Sequence, residues 1–323
     1  MKILVIGLGS MGKRRIRLLR RQKPDADITG IDVSEERTTA AAEEFGISVS
    51  HSIEDAAAEE QLCCAFVCTP PFLHASLIRL LISREIPVFT ELNLTSDGYE
   101  EFIKNDSARL FLSSTFLYRK DIQWLTKRVC GQRVNYLYHT GQYLADWHPW
   151  EDYRHFFVAD KKTNGCREIL AVELPWMTEC FGRIKGLHVL KDKMSGLLID
   201  YPDNYMILFE HENGSKGMMA VDVVSRKAVR RLEIFNEELQ LYWDGTPDSL
   251  GEWDVEDRVI REITTYNSVE QDTSYCENII ENAYMDEITA FFAMMEGDDS
   301  KVRYDFKKDL EVIELIDTIE GSL

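Results

Sequence analysis

MKILVIGLGSMG, residues 1–12, decides the fold of this chain. Residues 3–6, ILVI, form a short apolar run that is typical of a strand buried on both faces. Gly7, Gly9 and Gly12 follow in the spacing G-x-G-x-x-G, and a helical pattern runs from residue 13 to residue 22. This order of strand, glycine-rich turn and helix predicts a dinucleotide-binding turn.

The physical roles of the three glycines make this prediction specific. The first glycine permits a tight turn, the second lets the backbone approach a pyrophosphate, and the third lets the helix pack closely on the strand. The N–H groups at the positive end of the helix dipole then receive the phosphates. We therefore expect the cofactor to bind at Gly7, Gly9, Ser10, Met11 and Gly12. The alternative is a strand–turn–helix unit whose glycines are incidental.

Composition and charge restrict the class of protein. The 323 residues favour two domains, and a hydrophobic fraction of 45% is typical of a soluble globular protein. The net charge of −19 opposes binding to nucleic acid or to an anionic membrane. Seven cysteines without a C-x-x-C pair fit the reducing cytoplasm, and the scattered histidines indicate no metal site. We expect a cytoplasmic protein without nucleic-acid or membrane partners.

The first helix is an exception to this acidic composition. Ile16 and Leu19 supply an apolar stripe that can face the core. We therefore interpret the basic residues of this helix as a solvated outer face: Lys13, Arg14, Arg15, Arg17, Arg20 and Arg21.

Residues 1–118 alternate apolar strands with helical patterns, which predicts an α/β domain with a doubly wound parallel sheet of the Rossmann type. A ligand of such a sheet lies at the carboxyl ends of its strands, and we call this side of the sheet the carboxyl edge. Besides the glycine turn, the predicted strand ends place at this edge Asp32, Thr69, Pro70, Pro71, Glu91, Leu92, Asn93, Ser114 and Thr115.

Asp32 lies at the end of the second predicted strand, 20 residues after Gly12. A carboxylate at this distance can accept hydrogen bonds from the hydroxyl groups of the adenosine ribose, and it repels a 2′-phosphate. We therefore expect NAD rather than NADP as the cofactor. The alternative for Asp32 is a residue at the start of the following helix. Arg37 lies near enough in sequence to count as a further cofactor-binding candidate and to weaken the choice against NADP.

Three motifs resemble, in this order, those of the Gfo/Idh/MocA family of glucose–fructose oxidoreductase and inositol dehydrogenase. They are G-x-G-x-x-G, Thr69-Pro70-Pro71-x-x-His74 and Val88-Phe89-Thr90-Glu91, and the segment Tyr284-x-x-Glu287-x-x-x-Phe291 is similar too. The resemblance implies a Rossmann domain followed by an α+β domain with a large, mostly antiparallel sheet. It also implies NAD(P) as cofactor and homo-oligomers formed through that sheet. His74 and Glu91 thereby join the candidate cofactor-binding residues.

Residues 119–323 predict the second domain, of the α+β class. Period-two patterns predict consecutive strands of an antiparallel sheet at 134–144, 205–211, 217–224, 231–236 and 239–243. Helical patterns at 273–296 and 306–319 close the fold.

The stretch DWHPWEDYR, residues 146–154, suits a sugar or a sugar nucleotide. Aromatic rings such as Trp147 and Trp150 stack on the apolar faces of sugars, and polar side chains bind the hydroxyl groups. Arg154 and Arg167 are candidate substrate-binding residues and, with two nearby lysines, give one local positive patch. The alternative is a loop whose tryptophans only fill space at a domain interface.

A second stretch, at 164–176, predicts a helix with Glu168 and Val172 on one face. Glu173 lies in an otherwise apolar run, and a buried carboxylate costs several kcal/mol unless it is paired or protonated. Glu173 is therefore either a functional group or one half of a buried salt bridge to Arg167 or Lys162.

The chain departs from the family it resembles at two positions that handle protons. Members that transfer hydride carry Glu-Lys-Pro after the fifth strand, and here the lysine position holds Leu92. The second-domain helix of the family carries an aspartate and, four residues later, a histidine, at positions that we align with Glu168 and Val172. Leucine and valine neither donate nor accept a proton, so alcohol oxidation cannot follow the usual route.

Three hypotheses remain open. In the first, other residues handle the proton, and His148 is the best base because its unperturbed pKa lies near neutrality. Glu173 and Glu168 are the next candidates for the base, and Lys161 or Lys162 is the electrophile. In the second, the protein binds NAD and a sugar-like ligand without catalysis, as a sensor or a partner subunit. In the third, NAD is used transiently while one sugar is epimerised or loses a group. The tryptophan-containing stretch resembles that of a branch associated with surface-sugar biosynthesis, which favours a nucleotide sugar or an acidic sugar.

Overall fold

The structure is a computed structural model, and it describes residues 1–58, 62–105, 107–148, 151–271 and 279–322. Contacts within the chain divide it into two compact units. The first unit consists of Met1–Ser114 and Tyr284–Leu310, and the second of Thr115–Ala283 and Glu311–Leu323.

The first unit contains, among the described residues, a six-stranded sheet whose pairs are all parallel. Its strands are β1 (Lys2–Ile6), β2 (Asp27–Ile31), β3 (Ser48–Val49), β4 (Cys64–Val67), β5 (Val88–Thr90) and β6 (Leu110–Leu112). Their order is β3-β2-β1-β4-β5-β6, which is that of a Rossmann fold and confirms the predicted doubly wound sheet. The helices between the strands are α1 (Ser10–Gln22), α2 (Glu35–Phe45), α3 (Ile53–Ala58), α4 (His74–Ile82) and α5 (Tyr99–Lys104).

The second unit contains an eight-stranded sheet among the described residues. Its strands are β7 (Asn135–Gly141), β8 (Ile184–Asp192), β9 (Asn204–His211), β10 (Lys216–Asp222), β11 (Val229–Phe235), β12 (Gln240–Trp243), β13 (Gly251–Asp254) and β14 (Val259–Glu262). The order is β14-β13-β12-β11-β7-β10-β9-β8. Only the β7–β10 pair is parallel within these residues, so the predicted mostly antiparallel sheet is confirmed.

The remaining helices are α6 (Lys120–Val129), α7 (Gly165–Phe181), α8 (Glu281–Met295) and α9 (Phe306–Gly321). Helix α7 begins after Asn164, whose side chain accepts a hydrogen bond from the backbone N–H of Arg167 and caps the helix. The helix predicted at 273–296 is observed from Glu281 onward, and residues 272–278 lie outside the described part of the chain. Within the described part, no helix is both long enough and apolar enough to cross a bilayer.

The segment Tyr284–Leu310 belongs to the first unit because an aromatic cluster holds it there. The ring of Phe291 packs edge-on against Phe66, Phe89 and Phe111, which lie on three adjacent strands of the parallel sheet, with ring centroids 5.3–5.9 Å apart. Aromatic pairs prefer this geometry and bury a large apolar area. The sequence predicted a single boundary after residue 118 and did not assign this segment to the first domain.

Candidate functional site

Two glycines of the first turn are required by the fold itself. Gly7 has a φ of +92°, and a Cβ atom there would lie 2.6 Å from the carbonyl oxygen of Cys68. A Cβ atom at Gly12 would lie 1.8 Å from the carbonyl oxygen of Gly7. These contacts account for the first and third glycines of G-x-G-x-x-G, which permit the tight turn and the close packing of α1 on β1.

Gly9 is different, because its missing side chain leaves open space. Its φ of −72° is accessible to any residue, and the nearest atom to an added Cβ is Nη1 of Arg37, at 3.9 Å. Gly9 is the N-cap residue of α1, and the first turn of this helix contains no acidic residue. The N terminus of α1, from Ser10 to Gly12, therefore fits a pyrophosphate in both space and charge.

Asp32 lies beside this turn, at the end of β2. Its Oδ2 accepts a hydrogen bond from the backbone N–H of Leu8 at 2.7 Å, and its Oδ1 accepts one from Ser34 at 2.9 Å. Ser34, not Asp32, caps helix α2, by accepting from the backbone N–H of Arg37. The carboxylate is half-buried and tied to the glycine turn, which fits the predicted ribose contact.

The motif that follows β4 contributes a buried hydroxyl group to the carboxyl edge. Oγ1 of Thr69 is buried and has no hydrogen-bond partner among the described residues. Buried hydroxyl groups are normally satisfied, so this atom lacks a partner that a ligand or an ordered water could supply. Pro70 is half-buried, and Pro71 begins a short 3-10 helix, Pro71–Leu73, that leads into α4. Thr69, Pro70 and Pro71 therefore stand at the edge as predicted.

The side chain of His74 is buried and is bound by other residues of the first unit. Its Nε2 donates to the carbonyl oxygen of Thr69 at 2.7 Å, and the side-chain amide of Asn93 lies 2.6 Å from its Nδ1. Burial lowers the pKa of His74, so the ring is neutral at pH 7. We correct the predicted direct cofactor contact: both ring nitrogens bind other parts of the protein, and His74 acts by holding Thr69 and Asn93 in place.

The carboxylate of Glu91 is likewise engaged within the protein. Nε of Arg15 donates to its Oε1 at 2.6 Å and Nη2 donates to its Oε2 at 3.0 Å, while the Sγ of Cys68 lies 3.7 Å from Oε1. Glu91 is therefore the partner of Arg15 rather than an open ligand for the cofactor, which corrects its predicted role. Its position at the carboxyl edge is as predicted.

Arg15 joins two carboxylates inside the first unit. It is fully buried, and its Nη2 also donates to Oε2 of Glu287 at 2.9 Å. Glu287 in turn accepts from the hydroxyl group of Ser113 and from the backbone N–H of Ser114. Burial opposes the charge of Arg15, but the two carboxylates hold its pKa above the ordinary value. The interpretation of the basic helix as solvated is wrong for Arg15 and for Arg14, which is only 3% exposed.

In the second unit, the candidate base His148 is half-buried. Its Nδ1 lies 3.8 Å from Oε2 of Glu151, and its ring packs against Phe156 with centroids 4.6 Å apart. Burial lowers its pKa. The indole N–H of Trp147 donates to the carbonyl oxygen of Gln142 at 3.0 Å, so this polar atom is already bound. Trp150, the other predicted sugar-stacking residue, lies outside the described residues.

The predicted positive patch is largely neutralised. Arg167 is buried and pairs with Asp317 at 2.7 Å and with Glu320. Arg154 is exposed and pairs with Asp152. Lys161 and Lys162 are exposed. The prediction that Arg167 binds substrate is therefore corrected: its guanidinium group joins the start of α7 to the end of α9.

Glu173 is one half of a buried salt bridge. Nε and Nη2 of Arg230 donate to its Oε1 at 2.9 and 2.7 Å, and Tyr138 and Trp176 donate to its Oε2 at 2.6 and 2.7 Å. Four donors therefore surround its two oxygens, which supports the salt-bridge alternative for Glu173 over a functional one. Neither of the two partners predicted for it, Arg167 and Lys162, takes part.

Glu168 has the opposite environment, five residues earlier on the same helix. Its Oε2 is buried and has no hydrogen-bond partner among the described residues. Burial raises the pKa of this carboxyl group to about 7. Val172 is half-buried one turn further along the helix. Within the described ranges, no group of three or more His, Cys, Asp or Glu side chains is arranged to hold a metal ion.

The first part of the chain is similar to a known family of proteins. Residues 1–101 match the GFO_IDH_MocA family, which is described as an oxidoreductase family with an NAD-binding Rossmann fold. The match covers 101 of the 323 residues, and all of them lie in the first unit. The matched residues contain the glycine turn, Asp32, Thr69 and Glu91.

Curated relatives include inositol 2-dehydrogenase from Renibacterium salmoninarum. It is 31% identical over 99 residues, which are 30% of each chain. A second inositol 2-dehydrogenase, from Pseudarthrobacter chlorophenolicus, is 29% identical over 125 residues. The matches span only about a third of the length of these curated relatives, 30% and 35%.

Among solved structures, an oxidoreductase from Agrobacterium radiobacter in complex with NAD⁺, L-tartaric acid and magnesium has the same fold. It gives a TM-score of 0.81 at 13% identity, over 99% of this chain and 96% of that one. UDP-N-acetylglucosamine 3-dehydrogenase from Acidithiobacillus ferrooxidans gives 0.76 at 15% identity, over 100% and 97%. At such identities these structures show the fold and no more.

Proposed function

We propose that the protein is an NAD-dependent oxidoreductase that acts on a hydroxyl group of a sugar, sugar acid or nucleotide sugar. The observation that carries this proposal is the open N terminus of α1 at Gly9, with the carboxylate of Asp32 beside it. The buried hydroxyl group of Thr69, which has no partner among the described residues, supports it. Bound NAD⁺ supplies an acceptor for hydride from the substrate.

The residues of the first unit have distinct tasks in this proposal. The backbone at Gly9 and Ser10 binds the pyrophosphate, Asp32 binds the ribose, and Thr69 binds a polar atom of the cofactor. Nη1 of Arg37 lies 3.9 Å from the position of a Cβ atom at Gly9, which favours a contact with the phosphates. His74 orients Thr69 through its carbonyl oxygen.

We expect the protein to bind NADH more tightly than NADPH, because Asp32 accepts hydrogen bonds and repels a 2′-phosphate. Asp32→Asn removes the charge and keeps the shape. A hydrogen bond to a charged group contributes about 1.5–3 kcal/mol, so NADH affinity should fall about 10- to 100-fold while NADPH affinity rises. Fluorescence titration of both dinucleotides measures this. The control is Asp25→Asn, an exposed residue before the start of β2. Equal wild-type affinities for the two dinucleotides would contradict the role of Asp32.

The proposed substrate class is supported by relatives that are inositol 2-dehydrogenases and by a protein of the same fold that is a UDP-N-acetylglucosamine 3-dehydrogenase. The tryptophan-containing stretch at 146–154 favours a role in surface-sugar biosynthesis, and its described part includes Trp147 beside His148. An acidic sugar is less well supported, because Arg154 and Arg167 pair with carboxylates. A panel of neutral sugars, sugar acids and nucleotide sugars, tested with NAD⁺, distinguishes these substrates.

A second candidate function is that of a sensor or a partner subunit without catalysis. One observation favours it: two positions at which members of the family that this chain resembles carry proton-handling residues are apolar here. Leu92 and Val172 leave those positions without a proton donor or acceptor. The protein would then bind NAD and a sugar as a sensor or a partner subunit. Binding of NADH and of a sugar without turnover of any substrate in the panel is the result that this alternative predicts.

We also propose that the protein forms homo-oligomers through the outer face of the eight-stranded sheet. Large apolar side chains on adjacent strands of this face are 41–64% exposed: Leu137, Leu190, Met206, Leu208 and Met218. The registers of β7, β10, β9 and β8 place them side by side. Contiguous exposed apolar patches of this kind mark interaction sites, and a second copy of the chain offers the same apolar face.

Leu208→Glu should convert the oligomer into a monomer, because a charge would be buried at the centre of this patch. Light scattering after gel filtration measures the mass. Leu198→Glu is the matched control, since Leu198 is 68% exposed in the loop between β8 and β9. A wild-type protein that elutes as a monomer would contradict the proposal.

The cytoplasmic location that we also propose is supported by the described cysteines, which are all free thiols.

A further inference from the structure

Asn93 distinguishes the carboxyl edge of this chain from that of the family it resembles. Members that transfer hydride carry Glu-Lys-Pro after the fifth strand, and Asn93 stands at the position of the proline. Proline has no polar side chain, whereas the amide group of Asn93 can both donate and accept hydrogen bonds. Asn93 is only 3% exposed, so its polar atoms need partners inside the first unit.

Asn93 joins two other buried side chains of the first unit. On one side its amide group lies 2.6 Å from Nδ1 of His74, whose Nε2 donates to the carbonyl oxygen of Thr69 at 2.7 Å. On the other side it forms a hydrogen bond with the hydroxyl group of Tyr99, which donates to Oδ2 of Asp309. We call these side chains the Asn93 network: His74, Asn93, Tyr99 and Asp309. Each of them is at most 3% exposed, and together they connect Asp309 to the backbone of Thr69 at the carboxyl edge.

Asp309 is the charged end of the Asn93 network. Tyr304 donates to its Oδ1 at 2.8 Å, so a tyrosine hydroxyl group faces each of the two carboxylate oxygens. The ring of Phe306 packs edge-on against Tyr99 with centroids 5.0 Å apart, and both rings are buried. Asp305, which is exposed and of like charge, also acts on Asp309. Burial raises the pKa of Asp309 to about 6, although the two hydroxyl groups oppose this shift.

The charge of Asp309 determines how Tyr99 can be bound. Hydrogen bonds to an ionised carboxylate are about twice as strong as those between neutral groups. Protonation of Oδ2 would weaken this bond and would place a second donor against the Tyr99 hydroxyl group. Because this hydroxyl group has a single proton, it would have to turn that proton away from Asp309 and toward Asn93. The hydrogen bonds of the Asn93 amide group therefore depend on the charge of Asp309.

We propose that Asp309 is a positioning residue for the dinucleotide cofactor. In its ionised form it fixes Tyr99 and Asn93. Asn93 in turn fixes His74 against the carbonyl oxygen of Thr69, whose buried hydroxyl group then binds the cofactor. Protonation of Asp309 loosens this arrangement and weakens cofactor binding. The inference rests on the proposed binding of NAD at the carboxyl edge, and all the residues that it uses lie in the first unit.

Tyr99→Phe and Tyr304→Phe form a matched pair for the test. Each removes one hydroxyl group from the same carboxylate, but only Tyr99 leads on to Asn93. Both variants should lose similar stability in urea unfolding. Only Tyr99→Phe should lower NADH affinity at pH 8, by about 2- to 30-fold, which is the usual size of a coupling through contacting residues. Fluorescence titration measures the affinity.

The pH dependence of NADH affinity tests the role of the charge. Wild-type affinity should fall as the pH falls through about 6, because the carboxylate of Asp309 becomes protonated there. Tyr304→Phe should keep this step and move it to higher pH, because a hydrogen bond that lowers the pKa of Asp309 is lost. Tyr99→Phe and Asp309→Asn should lack the step, and Asp309→Asn should bind NADH weakly at every pH.

Three results would overturn the inference and leave NAD binding intact. The first is a Tyr99→Phe variant with the NADH affinity and the pH step of the wild type. The second is an equal loss of affinity in Tyr99→Phe and Tyr304→Phe, which would show that Asp309 has only a structural role. The third is an Asp309→Asn protein that keeps the step. A wild-type protein that does not bind NADH would instead overturn the proposed function, and the inference with it.

Discussion

Gly9→Val should fold as the wild type does and lose NADH binding almost completely. The substitution is tolerated by the fold, because φ is −72° and the nearest atom to an added Cβ lies 3.9 Å away. The added side chain would occupy the place where the pyrophosphate approaches the backbone. We expect NADH affinity to fall more than about 100-fold, which corresponds to about 2.7 kcal/mol. Fluorescence titration measures the affinity, and circular dichroism measures the fold.

The matched control for this prediction is Gly12→Val. There the added Cβ would lie 1.8 Å from the carbonyl oxygen of Gly7, so the variant should be destabilised whether or not NAD is present. The two substitutions thus separate a glycine that the ligand requires from one that the fold requires. Normal NADH binding by Gly9→Val would show that the glycine turn is only a structural turn.

Arg15→Met should reduce the free energy of unfolding by about 3–5 kcal/mol. Removing one partner from a buried ion-pair cluster leaves uncompensated charge, and here two carboxylates, Glu91 and Glu287, would lose their cation. Methionine keeps much of the volume, so the loss reports charge rather than a cavity. Urea unfolding measures the change. Arg21→Met is the control, because Arg21 is exposed on the same helix, and it should change stability by less than about 1 kcal/mol.

A triple variant tests the electrostatic origin of this effect. Adding Glu91→Gln and Glu287→Gln to Arg15→Met removes both unpaired carboxylates, and part of the lost stability should return. Burial also raises the pKa of the Glu287 carboxyl group. An Arg15→Met variant as stable as the Arg21→Met control would contradict the role assigned to the cluster.

The fold of the first unit could be predicted because its signals are local. A buried strand, a glycine turn and a helix follow one another within residues 2–22, and the apolar run of each later strand is short and continuous. The strands of the second sheet were harder to predict from the sequence. Strand β8 was missed because its residues do not alternate cleanly, and β13 and β14 were missed because each contains only four residues.

The partners of buried charges could not be predicted, because they lie far apart in sequence. Glu91 is 76 residues from Arg15, and Glu287 is 272 residues from it. Glu173 is 57 residues from Arg230. A sequence pattern shows that a charge falls on an apolar face, but only the fold brings its partner to it. For this reason Arg15 was interpreted as solvated.

The environment of Glu168 could not be predicted from the sequence either. Its position on α7 was anticipated from the helical pattern, and it was ranked behind His148 because an ordinary carboxyl group titrates well below neutrality. The environment that raises the pKa of Glu168 to about 7 arises from the packing of the second unit. The sequence therefore identified the residue as a candidate but not its chemistry.

Hydride transfer from a sugar to NAD⁺ is tested most directly by one measurement on the wild-type protein. The protein is mixed with NAD⁺ and with each member of the sugar panel, and the absorbance of reduced nicotinamide is followed, with Gly9→Val as the blank. We predict that at least one sugar produces NADH with the wild type and none does with Gly9→Val. Tight NADH binding by the wild type, without NADH production from any sugar, would contradict an oxidoreductase and favour the sensor or partner subunit.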